Sequence, residues 1–121
     1  MYKENTIEIK NLRFDKMEHP YDVRVDRASV LGNPFKMFDE SQRDLVCTRY
    51  YKYFYNKVNA RDLKKNKTFI EEIQRLYSIY KKYGRLRLFC WCYPKRCHAE
   101  TIKNFVLMIE LGLADHAWYK E

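Results

Sequence analysis

The stretch Gly84-Arg85-Leu86-Arg87-Leu88-Phe89-Cys90-Trp91-Cys92 decides how the chain folds, because the hydrophobic period changes there. Leu86, Leu88, Cys90 and Cys92 fall on one side of an extended backbone, and Arg85, Arg87, Phe89 and Trp91 on the other. This alternation predicts a β-strand over 85–92. Upstream the spacing is helical. Phe69, Ile70, Ile73, Leu76, Tyr77 and Tyr80 form one stripe, Thr68 with Glu71 reads as a capping box, and Gly84 supplies a left-handed stop. Downstream, Tyr93, Pro94, Lys95 and Arg96 make a short turn. A third helix is expected from about Cys97 to Gly112, burying Ile102, Phe105, Val106 and Ile109.

Toward the N-terminus, Asp39 is placed to cap a helix running to about Lys57, with Leu45, Val46, Tyr50, Tyr53 and Phe54 as its apolar stripe. Most tyrosines in these stripes are read as packing, since each buries a large ring and needs one partner for its hydroxyl. Tyr21 to Asp26 alternates as a half-buried strand should, Tyr21, Val23 and Val25 against Asp22, Arg24 and Asp26. Thr6 to Phe14 carries a weaker strand signal through Ile7 and Ile9. The order is strand, strand, helix, helix, strand, helix. Strands joined by helical crossovers tend to lie parallel, so the expected fold class is α/β. One small domain over 1–121 is expected, a mixed or parallel sheet flanked by about three helices.

Composition sets the outer limits. The chain has 121 residues, 46% of them hydrophobic and 17% aromatic, which excludes a disordered chain and suits one core. No apolar run approaches the ~20 residues of a membrane span, and Met1 to Lys10 is too charged for a secretory core. A soluble cytoplasmic protein without a membrane partner is therefore expected. The formal charge is +8, with residues 1–60 contributing +2 and residues 61–121 contributing +6. Such a balance suits an anionic partner, a nucleic acid, a nucleotide or an acidic protein, although a solvated basic face has the same composition.

The four cysteines are Cys47, Cys90, Cys92 and Cys97. In a reducing compartment a cluster of this kind reads as metal-binding, catalytic or buried before it reads as a disulfide framework. Cys90 and Cys92 are unsuited to each other, since side chains two apart on a strand sit ~6.6 Å apart. In Cys90-Trp91-Cys92-Tyr93-Pro94-Lys95-Arg96-Cys97-His98, a thiol and an imidazole stand at a helix start, where unpaired N–H groups and the helix dipole favour a thiolate. Three readings stay open. Cys97 and His98 form a nucleophile and acid–base pair; or Cys90, Cys92, Cys97 and His98 bind zinc as a Cys3His set, against the usual C-x2-C spacing; or the thiols are buried as small hydrophobes and His98 caps the helix.

The segments Arg27-Ala28-Ser29-Val30-Leu31-Gly32-Asn33-Pro34-Phe35 and Cys90-Trp91-Cys92 with Pro94-Lys95-Arg96-Cys97-His98 together resemble a family of small uncharacterised proteins common in bacteriophage genomes. The likeness covers about residues 21 to 111. It implies an α/β fold and a phage or prophage origin, hence the cytoplasm of a host cell, and it supplies no established reaction.

In a parallel sheet the loops Arg27 to Phe35 and Cys92 to His98 leave the same edge, where ligands of open α/β sheets bind. The reading that follows is a site for a nucleotide- or nucleoside-like anion. Arg24 or Arg27 and the helix start would hold its charge, Asn33 would orient it, Cys92 would line the site, and Cys97 with His98 would do any chemistry. Gly32 is expected to adopt a positive φ or to admit a ligand closely. The alternative is a nucleic-acid or host-protein binding module that contacts its partner through Lys57 to Lys67, Lys81 to Arg87 and exposed Tyr50, Tyr51 or Tyr55.

Overall fold

The computed structural model describes residues 6–59 and 66–113. Strands β1 (Thr6–Asn11), β2 (Asp22–Arg24) and β3 (Arg85–Cys90) form one parallel sheet in the order β1-β3-β2. Ile7 pairs with Leu86 and Ile9 with Leu88 on one side of β3, and Val23 pairs with Leu88 on the other. The central position of β3 explains why the alternation seen in its sequence does not become a wet and a dry face. Leu86 to Cys90 are all buried. Leu86, Leu88 and Cys90 join the main core, whereas Arg87 lies over the Phe89 ring at 5.2 Å and pairs with Asp22 at 3.3 Å.

Three helices complete the fold: α1 (Arg43–Asn59), α2 (Lys67–Tyr83) and α3 (Ala99–Glu110). Their apolar stripes meet the core face of the sheet around Phe54, whose ring meets those of Tyr50, Phe69 and Phe105 within 6.0 Å. Truncating such a buried aromatic costs about 3 to 5 kcal/mol, so this junction is a principal source of stability. Gly84 ends α2 at φ 69, donating its N–H to the Tyr80 carbonyl. This is the left-handed stop that the sequence announces. No helix among the described residues is long and apolar enough to cross a membrane.

Several boundaries move for identifiable reasons. The strand over 85–92 stops at Cys90, since Trp91 to Arg96 turn back under a Lys95 N–H to Cys92 carbonyl bond of 2.9 Å. The Tyr21–Asp26 strand narrows to Asp22–Arg24, although Val25 still donates to the Phe89 carbonyl at 2.9 Å. Asp39 caps a 3-10 turn over Glu40–Gln42 rather than α1 itself. Leu45, placed in the buried stripe of α1, is exposed, and Cys47 and Val58 are buried instead. The capping box expected at Thr68 does not form: α2 begins one residue earlier, at Lys67, with Asn66 at the cap position. The third helix begins at Ala99, so Cys97 and His98 lie in the turn that leads into it. Tail residues 114–121, including His116 and Trp118, lie outside the described residues.

Candidate functional site

Because β2 and β3 are parallel neighbours, the segments that follow them emerge at one edge. There they enclose a cavity of about 390 Å³ with the first turns of α1. Asp26, Arg27, Asn33 and Phe35 line it from the β2 side, Trp91, Cys92, Arg96, Cys97 and His98 from the β3 side, and Arg43, Val46 and Cys47 from α1. The two stretches singled out in the sequence, some sixty residues apart, thus meet.

His98 ties the two sides together. Its buried ring directs Nε2 to the Val25 carbonyl at the end of β2 and Nδ1 to the Cys97 sulfur at 3.5 Å. A carbonyl can only accept, so Nε2 carries the proton and Nδ1 of the neutral ring offers its lone pair to the thiol. Burial holds the His98 pKa below its ordinary value, against the bond to Val25 that raises it. A second tie comes from β1. The Asn11 amide donates to the Trp91 carbonyl at 3.2 Å and to the Tyr93 carbonyl at 2.8 Å, which fixes the backbone after β3.

Trp91 has the most informative side chain. Its indole N–H donates to Asp26 at 2.7 Å, yet the residue remains 58% exposed. A large ring that is anchored at its N–H and still exposed, in a lining that also holds Phe35, is a platform for a flat ligand. Burial pushes the Asp26 carboxyl up, but its bonds to Arg24 and Trp91 outweigh this and leave it below the ordinary range. The anchor therefore keeps its charge at neutral pH. Around the platform the lining carries three guanidiniums, of Arg27, Arg43 and Arg96, against one carboxylate. Arg43 is also bonded to Glu40 and to the Arg96 carbonyl, and Arg96 to Asp44 at 3.0 Å. These bonds hold the two guanidiniums at the mouth without using all their donors.

The other residues predicted from sequence fare differently. Arg24 points away from the cavity, with its guanidinium bonded to Asp26. Arg27 bonds the carbonyls of Asn33 and Phe35, at 3.2 and 3.3 Å. Asn33 accepts from the Phe35 N–H at 2.9 Å and donates to the Val46 carbonyl at 3.3 Å, so its amide serves the turn first. Gly32 does not have the positive φ expected of it. Its role is close packing, since a Cβ there would sit 2.4 Å from the Asp26 carbonyl oxygen. Cys97 is 3% exposed, and Glu100 has already taken the helix start by accepting the Cys97 N–H at 3.3 Å.

All four cysteines are free thiols. Cys47 points to the Arg96 carbonyl at 3.7 Å and Cys90 to the Lys10 carbonyl at 3.6 Å. Among the described residues no group of three or more His, Cys, Asp and Glu side chains is arranged to hold a metal ion. The Cys3His set therefore does not assemble. His98 faces Val25 and Cys97, and Cys92 lies beside a guanidinium.

The basic surface invoked by the binding-module reading is partly neutralised. Lys81 pairs with Glu110, Arg85 with Glu8, and Arg87 is buried against Asp22. Tyr50, expected to be exposed, is buried with its hydroxyl donating to the Leu31 carbonyl at 2.6 Å. Tyr51 and Tyr55 lie against each other with ring centres 4.8 Å apart. Arg61, Lys64 and Lys65 lie outside the described residues.

Sequence reasoning missed Asp26, Arg43 and Trp91 as cavity residues. Only the acidic end of the β2 alternation and a basic residue in a first helical turn hinted at the first two. Nothing in a lone tryptophan signals a partner sixty-five residues away.

Fold and site together define a small parallel α/β domain with a ligand-sized cavity at the carboxyl ends of β2 and β3, inside the ~300 to 1,000 Å³ range of small-molecule sites. The chain belongs to the DUF4326 family, described as a domain of unknown function, whose pattern matches residues 8–108. No curated protein and no solved structure matches it.

Proposed function

We propose that the cavity binds a nucleotide- or nucleoside-like anion, and that the chain is a phage- or prophage-encoded protein acting in the cytoplasm of its host. The observation that carries the ligand reading is the pairing of an anchored, exposed Trp91 side chain with three arginines in one cavity lining. A base stacked on the indole, beside Phe35 and Met37, would present its phosphate to Arg43 and Arg96, with Arg27 across the opening. Stacking supports a flat ring of any base identity, and guanidiniums support phosphate through bidentate bonds. The phage origin rests on the likeness of the two sequence segments alone.

Titration of the purified protein with nucleoside mono- and diphosphates, followed by calorimetry and tryptophan fluorescence, tests the ligand reading. Binding at one site per chain is expected, weakened at least about tenfold by Arg43→Gln or Arg96→Gln, the value of one charge-assisted bond. Salt should weaken it modestly. Affinity only for polymeric nucleic acid, falling steeply with ionic strength, would transfer the function to the basic surface. No response to any nucleotide in either signal would remove the reading.

A further inference from the structure

We propose that Cys92 and Cys97 form a two-thiol redox site in this cavity, in which Cys92 attacks a peroxide-class oxidant and Cys97 closes the product to a disulfide. Both residues line the cavity, but they differ in access: Cys92 is half-buried and Cys97 is buried. The turn closed by the Lys95 N–H to Cys92 carbonyl bond brings the two thiols to the same cavity, where they interact with each other and Cys92 with the Arg43 guanidinium. Cys47 is directed to the Arg96 carbonyl. Cys90 also interacts with Cys97 while pointing to the Lys10 carbonyl, but it is fully buried and does not line the cavity, so an oxidant entering there meets Cys92.

Thiols this close share their ionisation, so the charge settles on the one with a cation and water beside it. The Cys97 S–H, followed by Arg43, brings Cys92 down to about 6 against the cost of burial. Cys97 itself is pushed up, by its neighbours Cys90 and Cys92 and then by burial, and stays a thiol. That is the division of labour an attacking and a resolving cysteine need, because the thiolate is the nucleophile.

In the first step the Cys92 thiolate attacks the distal peroxide oxygen. The S–O bond forms, the O–O bond breaks, and the alkoxide or hydroxide leaves and takes a proton from water. Cys92 becomes a sulfenic acid. In the second step Cys97 passes its proton to Nδ1 of His98, 3.5 Å away, and its sulfur attacks that of Cys92. The S–S bond forms, and hydroxide departs as water with the proton from His98. Reduction by a small thiol, itself oxidised to its disulfide, restores both cysteines.

The test needs no nucleotide, so it is independent of the binding reading. Wild-type protein is treated with stoichiometric hydrogen peroxide, and its mass and peptide map are taken after alkylation. The expected result is loss of two hydrogens per chain and a Cys92–Cys97 cross-link, reversed by dithiothreitol. In Cys97→Ser, a sulfenic acid should persist on Cys92 and be trapped by a 1,3-diketone probe. Without peroxide, limiting iodoacetamide should label Cys92 first, with a rate that rises through about pH 6. Oxidation falling first on Cys47 or Cys90, or Cys92 reacting only above the ordinary thiol pKa of ~8.5, overturns the proposal. The wild-type map keeps the test decisive if a variant fails to fold.

Discussion

The loops that leave β2 and β3 share one edge and one cavity, but they use their polar groups in opposite ways. In the loop 26–35 nearly every distinctive side chain is engaged with backbone groups, most of them the loop's own. Arg27 bonds two carbonyls, Asn33 bridges Phe35 and Val46, Ser29 accepts from Leu31, and Gly32 packs against Asp26. In the loop 91–98 the backbone is held from outside, by Asn11 and by the His98 contact with Val25. Its Trp91 ring face, Cys92 sulfur and Arg96 guanidinium are left facing the cavity. The first loop is a wall that builds itself, and the second is a working surface that the rest of the fold positions. Two equally conspicuous motifs can thus have unequal shares in function.

That contrast predicts a separation of phenotypes. Changes in the first loop should lower stability, and changes at the exposed groups of the second should lower binding or reactivity. The largest stability loss is expected for Gly32→Ala. The added methyl would meet the Asp26 carbonyl oxygen at 2.4 Å, and a forced backbone shift costs up to about 3 kcal/mol, read as a lower denaturant midpoint. A near-neutral result would mean that the loop is softer than its packing implies.

His98→Gln, which breaks the tie between the loops, should cost about 2 kcal/mol and also change the pH profile. Burial lowers the folded-state pKa of His98 below 6.5, so on acidification the unfolded chain takes up this proton first. The stability concerned is whole above that pH and is lost as pH falls below it. Wild-type unfolding midpoints should therefore drop between pH 7 and 5, and the drop should be shallower in the variant. Equal slopes would assign the acid sensitivity to another group.

Asn33→Ala removes two hydrogen bonds and should cost about 1 to 2 kcal/mol, with nucleotide affinity changed little once folded protein is compared. A large affinity loss in folded protein would show that the amide reads the ligand as well. The smallest stability effect is expected at Trp91, where Trp91→Ala should cost under about 1 kcal/mol while nucleotide affinity falls at least about tenfold. The reverse pattern at Asn33 and Trp91 would invert the comparison between the loops.

Much of the architecture was legible in the chain. The order of strands and helices, the Gly84 stop and the buried stripes of α2 and α3 follow from periods of two and 3.6 residues, which are local signals. Parallel pairing followed from the helical crossover between β2 and β3. The meeting of Asn33 with His98 followed in turn from the parallel arrangement. What could not be read was how side chains are engaged after the chain closes up. Arg24 and Arg27 look alike in sequence, but the first turns to Asp26 and the second spans its own loop. Cys97 looks like the reactive thiol because of the helix that follows it, yet that helix supplies Glu100 to its own first turn. Cys92 gains Arg43 only through the approach of α1.

The most direct test of the central claim, one anion site made jointly by the two loops, is amide chemical-shift mapping of labelled protein titrated with a nucleoside monophosphate. The account predicts concerted shifts in Asp26 to Phe35 and in Trp91 to His98, together with Arg43, that saturate at a single midpoint. Shifts confined to Lys81 to Arg87, or shifts in only one of the two loops, would contradict it.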